Sequence, residues 1–174
     1  MDRTNIVQLD PLEKEEREEF IRQVQQAFDK GAQDVFGKDI PPAIPRKDVE
    51  ESLDDPRCRA YHILHQGQVA GGAVVRWEEE ERRCGLELLF IRPDIHGRGL
   101  GQSAWQVIQQ AYPRARVWET HTPYFDKRNI HFYVNKCGFH IVEFYCDAHP
   151  LPHASSQPIP GGDVFFRFEK QMEE

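Results

Sequence analysis

No two of the four cysteines, Cys58, Cys84, Cys137 and Cys146, form a Cys-x-x-Cys pair. Their spacing suits neither a zinc site nor a compact disulfide framework, so buried, reduced thiols of a cytosolic protein are the better reading. No apolar run approaches the ~18 residues of a membrane span, and no basic-then-apolar leader opens the chain. A cytoplasmic protein without a membrane partner is therefore expected. Positive charge is in deficit: 22 Lys and Arg against 29 Asp and Glu give a net charge of −7. That balance disfavours nucleic acid as a partner and is compatible with a cationic small substrate. No internal repeat and no low-complexity linker divide the 174 residues, which predicts a single domain over 1–174 with its own core. The eight histidines invite a metal reading, with His149 and His153 near Cys146. Neither a helical His-x-x-x-His nor a paired-cysteine pattern accompanies them, so no metal is expected.

The stretch Leu86–Gly101, LELLFIRPDIHGRGLG, carries the strongest local signal. An apolar run with strand character stops at Pro93; Gly97, Gly99 and Gly101 form a turn, and a helix follows from near Gln102. Strand, glycine loop and helix N-terminus in that order make an anion cradle, because bare backbone amides and the positive helix end converge on one spot.

Around it the periodicities predict a strand at Asn5–Leu9, then a helix capped by Asp10 with Pro11 in its first position and Gly31 at its end. Phe20, Ile21, Val24 and Phe28 mark that helix's buried face. Val49–Leu53 reads as a short helix beyond Pro41, Pro42 and Pro45. From Arg59 the period becomes two: Ala60–His65, Val69–Trp77 and Cys84–Ile91 make three antiparallel strands, with a turn at Gln66-Gly67. Leu86, Leu88 and Phe90 should share one face and Glu87, Leu89 and Ile91 the other. Trp105, Ile108 and Tyr112 line a helix ending at Pro113. A strand at Ala115–Thr120, a helix capped by Asp126 and closed by Gly138, and strands at Phe139–Cys146 and Val164–Glu169 complete the chain. The Pro- and Ser-rich segment 147–162 is long for a hairpin loop; cover for an active site, a subunit contact and plain surface loop all fit it. The element order predicts a mixed α+β fold, with helices on both faces of a central sheet.

Ile91-Arg92-Pro93 followed by His96-Gly97-Arg98-Gly99-Leu100-Gly101 resembles the acetyl-CoA motif of the GNAT superfamily of N-acetyltransferases. A second block agrees: Trp118-Glu119-Thr120, then Asn129 to Phe139 with Tyr133, Gly138 and Phe139 in the family's positions. One position departs, since His96 stands where Gln or Arg is usual. The resemblance implies a GNAT-like acyl-CoA N-acyltransferase fold, with a mostly antiparallel sheet of about seven strands. It implies acetyl-CoA as co-substrate, a primary amine of a small molecule or a protein as acceptor, and room for a homodimer. A non-catalytic domain that binds acyl-CoA is the alternative, which retention of Glu87 and Tyr133 disfavours.

The same resemblance assigns roles. Backbone around Leu89 and Ile91 holds the thioester end, on a strand that splays from its neighbour at Val117–Thr120. His96, Gly97, Arg98, Gly99, Leu100 and Gly101 hold the pyrophosphate, and Asn129 serves the pantetheine or caps backbone. Glu87 is the candidate base, with Glu119 second; Tyr133 is the candidate acid for the CoA thiolate, since a phenol at about 10 lies near a thiol at about 8.5. Apart from the resemblance, the position of His121 just after the Trp118 strand suggests that it lines the acceptor pocket.

Overall fold

The computed structural model describes residues 6–95 and 97–173, so Asn5 and His96 lie outside the described residues. Seven strands form one sheet in the order β1-β2-β3-β4-β5-β7-β6. They are β1 (Val7–Pro11), β2 (Cys58–His65), β3 (Gln68–Glu78), β4 (Arg83–Ile91), β5 (Val117–Pro123), β6 (His140–Tyr145) and β7 (Phe165–Gln171). Every neighbouring pair is antiparallel except β4 with β5. This is the α+β architecture expected.

Helices cover both faces. On one, Phe20, Ile21 and Val24 of α1 (Arg17–Phe36) and Val49 of α2 (Arg46–Asp54) bury against Val74, Leu88 and Phe90. On the other, α3 (Leu100–Ala111) inserts Ala104, Trp105 and Ile108 among Ala73, Val75, Trp118 and Phe168. Trp105 stands edge-on to Trp118 at 5.0 Å between ring centroids and packs on Phe139 at 5.1 Å. Tyr112, one turn past Ile108, meets the Tyr61 hydroxyl at 2.7 Å. The spacing of these residues in the sequence is thus the helical face that the core uses.

Two expectations about the first helix fail. Asp10 and Pro11 belong to β1, opposite His62 and Tyr61. A proline is tolerated there because β1 is an edge strand, where the missing N–H removes no bond from a second neighbour. The helix is entered instead through a 3-10 turn at Lys14–Glu16, opened by a reciprocal capping box in which the Glu13 N–H donates to Glu16 Oε1 at 3.0 Å. Gly31 does not end the helix either. The apolar face continues to Ala32, which is buried, and α1 stops only at Gly37, whose φ of +86° suits a residue without Cβ. Smaller shifts move the start of α3 to Leu100 and the end of β5 to Pro123.

The position of Gly31 makes a prediction. It sits inside a helix with no heavy atom near where a Cβ would project. Gly31→Ala is expected to raise stability by about 0.5–1 kcal/mol, since glycine in a helix interior wastes backbone entropy. Urea unfolding checks this; a lower midpoint would mean that the site is crowded.

Candidate active site

The site begins at an irregularity in β4. The β3–β4 ladder pairs Val74 with Leu88 and Val75 with Leu86, leaving Glu87 unopposed. Such a bulge breaks the alternation of side chains and bends the strand. Leu86 accordingly packs with Ile91 on the α3 side, while Leu88 and Phe90 pack against α1. The expectation that Leu86, Leu88 and Phe90 share a face is thereby corrected. Glu87 turns to the α1/α2 side, where it is ion-paired with Arg76 of β3.

The parallel pairing of β4 and β5 ends at the same place. It runs from Arg83 opposite Val117 to Leu86 opposite Thr120 and no further. Beyond it β4 stays on β3 up to Ile91, and β5 stays on β7 up to Pro123. A wedge opens between the facing edges of Glu87–Ile91 and His121–Pro123, and their backbone groups on that side have no strand partner. At its apex the Thr120 hydroxyl donates to the Leu86 carbonyl at 2.9 Å.

The glycine turn lies beyond the open end of β4. Gly97 has φ +86° and Gly99 φ +74°; Gly99 is the N-cap of α3 and no side chain caps that end. The first amides of α3 are therefore left for an outside acceptor. Gly97, Gly99, Leu100 and Gly101 line a cavity of about 1610 Å³, and so do Leu89, Ile91 and Asn129. Arg98 is exposed and is not part of the lining. Asn129 gives its backbone N–H to Asp126 Oδ1 at 3.1 Å, which makes Asp126 the N-cap of α4 (Lys127–His131).

After α4 the chain makes a π turn over Phe132–Lys136, closed by the Cys137 N–H donating to the Phe132 carbonyl at 3.0 Å. Single π turns often re-aim a side chain at a functional site. Here Tyr133 faces the cavity while packing on Phe139 and Phe168. Burial pushes its phenol well above the ordinary range; the Cys137 thiol adds to this and the Thr120 hydroxyl opposes it. The phenol is thus protonated at neutral pH.

The α1/α2 side of the cavity has a charged floor that sequence reasoning missed. Arg76 donates to Glu119 Oε2 at 2.9 Å as well as pairing with Glu87. Arg167 donates to Glu119 Oε1 at 3.1 Å, to Glu143 Oε1 at 2.8 Å and to Glu169 Oε2 at 2.6 Å. These residues come from β3, β4, β5, β6 and β7, so no local pattern could have announced the array. His121, beside Glu119 on the same strand face, lines the cavity with its ring stacked on Tyr145 at 6.0 Å. The ring keeps an exposed face, yet desolvation by the protein around it lowers its pKa; Glu119 opposes that shift, and Arg167 and Arg76 reinforce it.

Glu143 is held at about 2 by hydrogen bonds from His149, Tyr145 and Arg167. A depressed carboxylate contributes stability above its unfolded pKa of about 4.3. The difference in unfolding midpoint between the wild type and Glu143→Gln should be widest above pH 5 and should close as pH falls toward 2. A difference unchanged across that window in thermal scans would detach Glu143's charge from stability.

Segment 147–162 forms the far wall. Leu151, His153, Ser155 and Ile159 face the cavity, and the Ser156 N–H reaches the Asp48 carboxylate on α2 at 3.3 Å. The segment therefore borders the cavity. Among the described residues, no helix is long and apolar enough to cross a membrane and no group of His, Cys, Asp and Glu could hold a metal ion.

Known proteins are similar to this chain in sequence or in fold. An uncharacterized Bacillus subtilis protein, YrkN, is 45% identical over 161 residues, spanning 88% of this chain and 87% of its own. Among solved structures, an acetyltransferase from Thermus thermophilus matches with a TM-score of 0.69 at 18% identity, over 97% of this chain and 99% of its own. The spermidine N-acetyltransferase of Vibrio cholerae, in complex with CoA and spermine, gives 0.68 at 14% identity over 95% of each chain. At those identities the structures attest the fold alone. The family is shown by residues 18–139, which match the acetyltransferase (GNAT) family across the wedge, the glycine turn and the π turn. The chain is an acyltransferase and belongs to the GNAT acetyltransferase family.

Proposed function

We infer that the protein transfers the acetyl group of acetyl-CoA to a primary amine by direct attack in a ternary complex. The observation that carries this reading is the wedge between β4 and β5, with uncapped α3 amides at its mouth and Tyr133 on one side of it. The residues present fit an acyl-CoA co-substrate. The amides from Gly97 to Gly101 suit a pyrophosphate, whose charge the α3 dipole favours. The unpartnered edge at Leu89–Ile91 suits an extended pantetheine arm pairing like a strand, and one of its amides can donate to the thioester oxygen as charge develops there. Asn129 borders the same channel. A protonated Tyr133 supplies the proton that the departing sulfur requires.

Glu87 stands at the wedge with its carboxylate engaged by Arg76. We assign it electrostatic work at the acceptor side rather than proton abstraction. Of the charged array, Arg57, Arg76 and Arg167 line the cavity together with Asp55, Glu87 and Glu119, so guanidinium groups and carboxylates balance there. Enclosure by segment 147–162 and α2 favours a small-molecule acceptor over a folded protein surface. The alternative is a non-catalytic acyl-CoA binder.

Calorimetry with acetyl-CoA, followed by a thiol-release assay against polyamines, aminoglycosides, amino-acid amides and a lysine peptide, separates the two. CoA release with at least one amine is expected. Tight binding of acetyl-CoA with no release across the panel would sink the transferase reading.

A further inference from the structure

We propose that His121 is the proton acceptor of the transfer, taking the proton that the amine nitrogen loses as it attacks. The inference rests on the transferase reading above and deepens it.

Three observations lead there. The first is position. In the register that ends at Leu86 and Thr120, Glu87 and His121 are the next residues on their strands, so they flank the wedge from either side just beyond its apex. The second is facing. Along β5, Trp118 and Thr120 are buried in the α3-side core or turned to its apex, whereas Glu119 meets Arg76 and Arg167 on the opposite face. Alternation puts His121 on that opposite face with Glu119, and Tyr133 on the α3 side. Acid and base therefore stand on the two sides of the gap through which the thioester is reached. The third is availability. Glu87 is clamped by Arg76, and Glu119 by Arg76 and Arg167. Protonating either carboxylate would give up its ion pair with a guanidinium. His121 makes no hydrogen bond to a described residue; its ring is held by stacking on Tyr145 and borders the cavity.

The charged and titratable groups around the ring come from every strand packed beside it: Arg76 on β3, Glu87 on β4, Glu119 on β5, Glu143 and Tyr145 on β6, and Arg167 on β7. Desolvation by the surrounding protein and the two arginines lower the imidazole's pKa against the pull of Glu119 and Glu143, which favours the neutral ring and its free lone pair.

The step balances as follows. The ammonium form of the acceptor gives up one proton to solvent, and its nitrogen then forms a C–N bond to the thioester carbon. That bond makes the nitrogen acidic, and its second proton passes to the His121 imidazole. The C–S bond breaks with its electron pair on sulfur, which takes a proton from Tyr133. The imidazolium proton leaves through solvent, and Tyr133 is reprotonated from it. One amide, one thiol and one net proton result.

The test compares kcat/KM between pH 5 and 9 for the wild type, His121→Gln and Glu87→Gln, using the panel amine that the wild type acetylates fastest. His121→Gln is expected to lose about 10²-fold at pH 8. The wild-type-to-variant ratio should rise with pH through the imidazole titration and then level off, with acetyl-CoA affinity unchanged. Glu87→Gln should keep the wild-type profile shape. His121→Ala, checked for folding by its thermal midpoint, should regain activity when free imidazole is added. A His121→Gln enzyme with the wild-type rate and profile would overturn the assignment while leaving the transferase reading intact. So would loss of the pH limb in Glu87→Gln alone. A wild type that acetylates no panel amine overturns both.

Discussion

Tyr133→Phe is expected to lower kcat by about 10²- to 10³-fold while the affinity for acetyl-CoA changes less than about twofold. The magnitude is that of removing one positioned general acid. The side chain keeps its ring, and the ring makes the packing: edge-on to Phe139 at 5.6 Å and tilted on Phe168 at 5.9 Å. Only the hydroxyl goes. Its phenol is held above its usual range chiefly by burial, so at neutral pH it has a proton to give and the variant does not. Without that donor the sulfur must leave as a bare thiolate or draw a proton from water. Steady-state CoA release gives kcat, and calorimetry gives the acetyl-CoA dissociation constant. Unchanged turnover would return Tyr133 to the status of a core aromatic.

Gly99→Val is expected to damage cofactor binding more than stability. Gly99 holds φ +74° at the N-cap of α3, and the Gly99 carbonyl accepts from both the amide and the hydroxyl of Ser103 at 3.2 Å. A side chain in the left-handed region costs about 1–2 kcal/mol, and a β-branched one suffers more. The folded protein escapes most of that cost by relaxing the exposed turn, which moves the neighbouring amides off the line to the phosphates. Each charge-assisted bond so lost is worth about 1.5–3 kcal/mol. Loss of one of them corresponds to roughly a 10- to 150-fold weaker acetyl-CoA complex. Calorimetry read beside urea unfolding decides the matter. Equal losses in both would identify a glycine needed only for the turn.

Much of the fold is legible in the sequence because its signals are local. Alternating apolar residues from Ala60 to Ile91 announce three antiparallel strands, and the 3.6-residue spacing of Trp105, Ile108 and Tyr112 announces α3. Asp126 before Asn129 reads as a helix cap and is one. The errors have local causes as well. Asp10-Pro11 looks like a helix start until β1 proves to be an edge strand that spares proline its penalty. Gly31 looks like a stop until the buried face of α1 is seen to outweigh the entropic cost of one glycine.

The active site divides in the same way. The glycine turn and the Asn129–Phe139 block are contiguous, so chain order alone named the cradle, the candidate acid and the family to which they belong. The bulge at Glu87 has no sequence signature; it arises because β3 and β4 differ by one residue in the length they span between fixed pairs. That one residue redirects Glu87 toward Arg76 and starts the divergence of β4 from β5. The floor is more remote still, joining Arg76, Glu119, Glu143 and Arg167 from four strands through side chains whose charges become neighbours only when the sheet closes. The sequence by itself determined the elements, the family and the anion cradle, because each depends on residues close along the chain. Only the tertiary structure decided which of the acids is clamped and left His121 free at the wedge, because ion pairing depends on distances across the sheet.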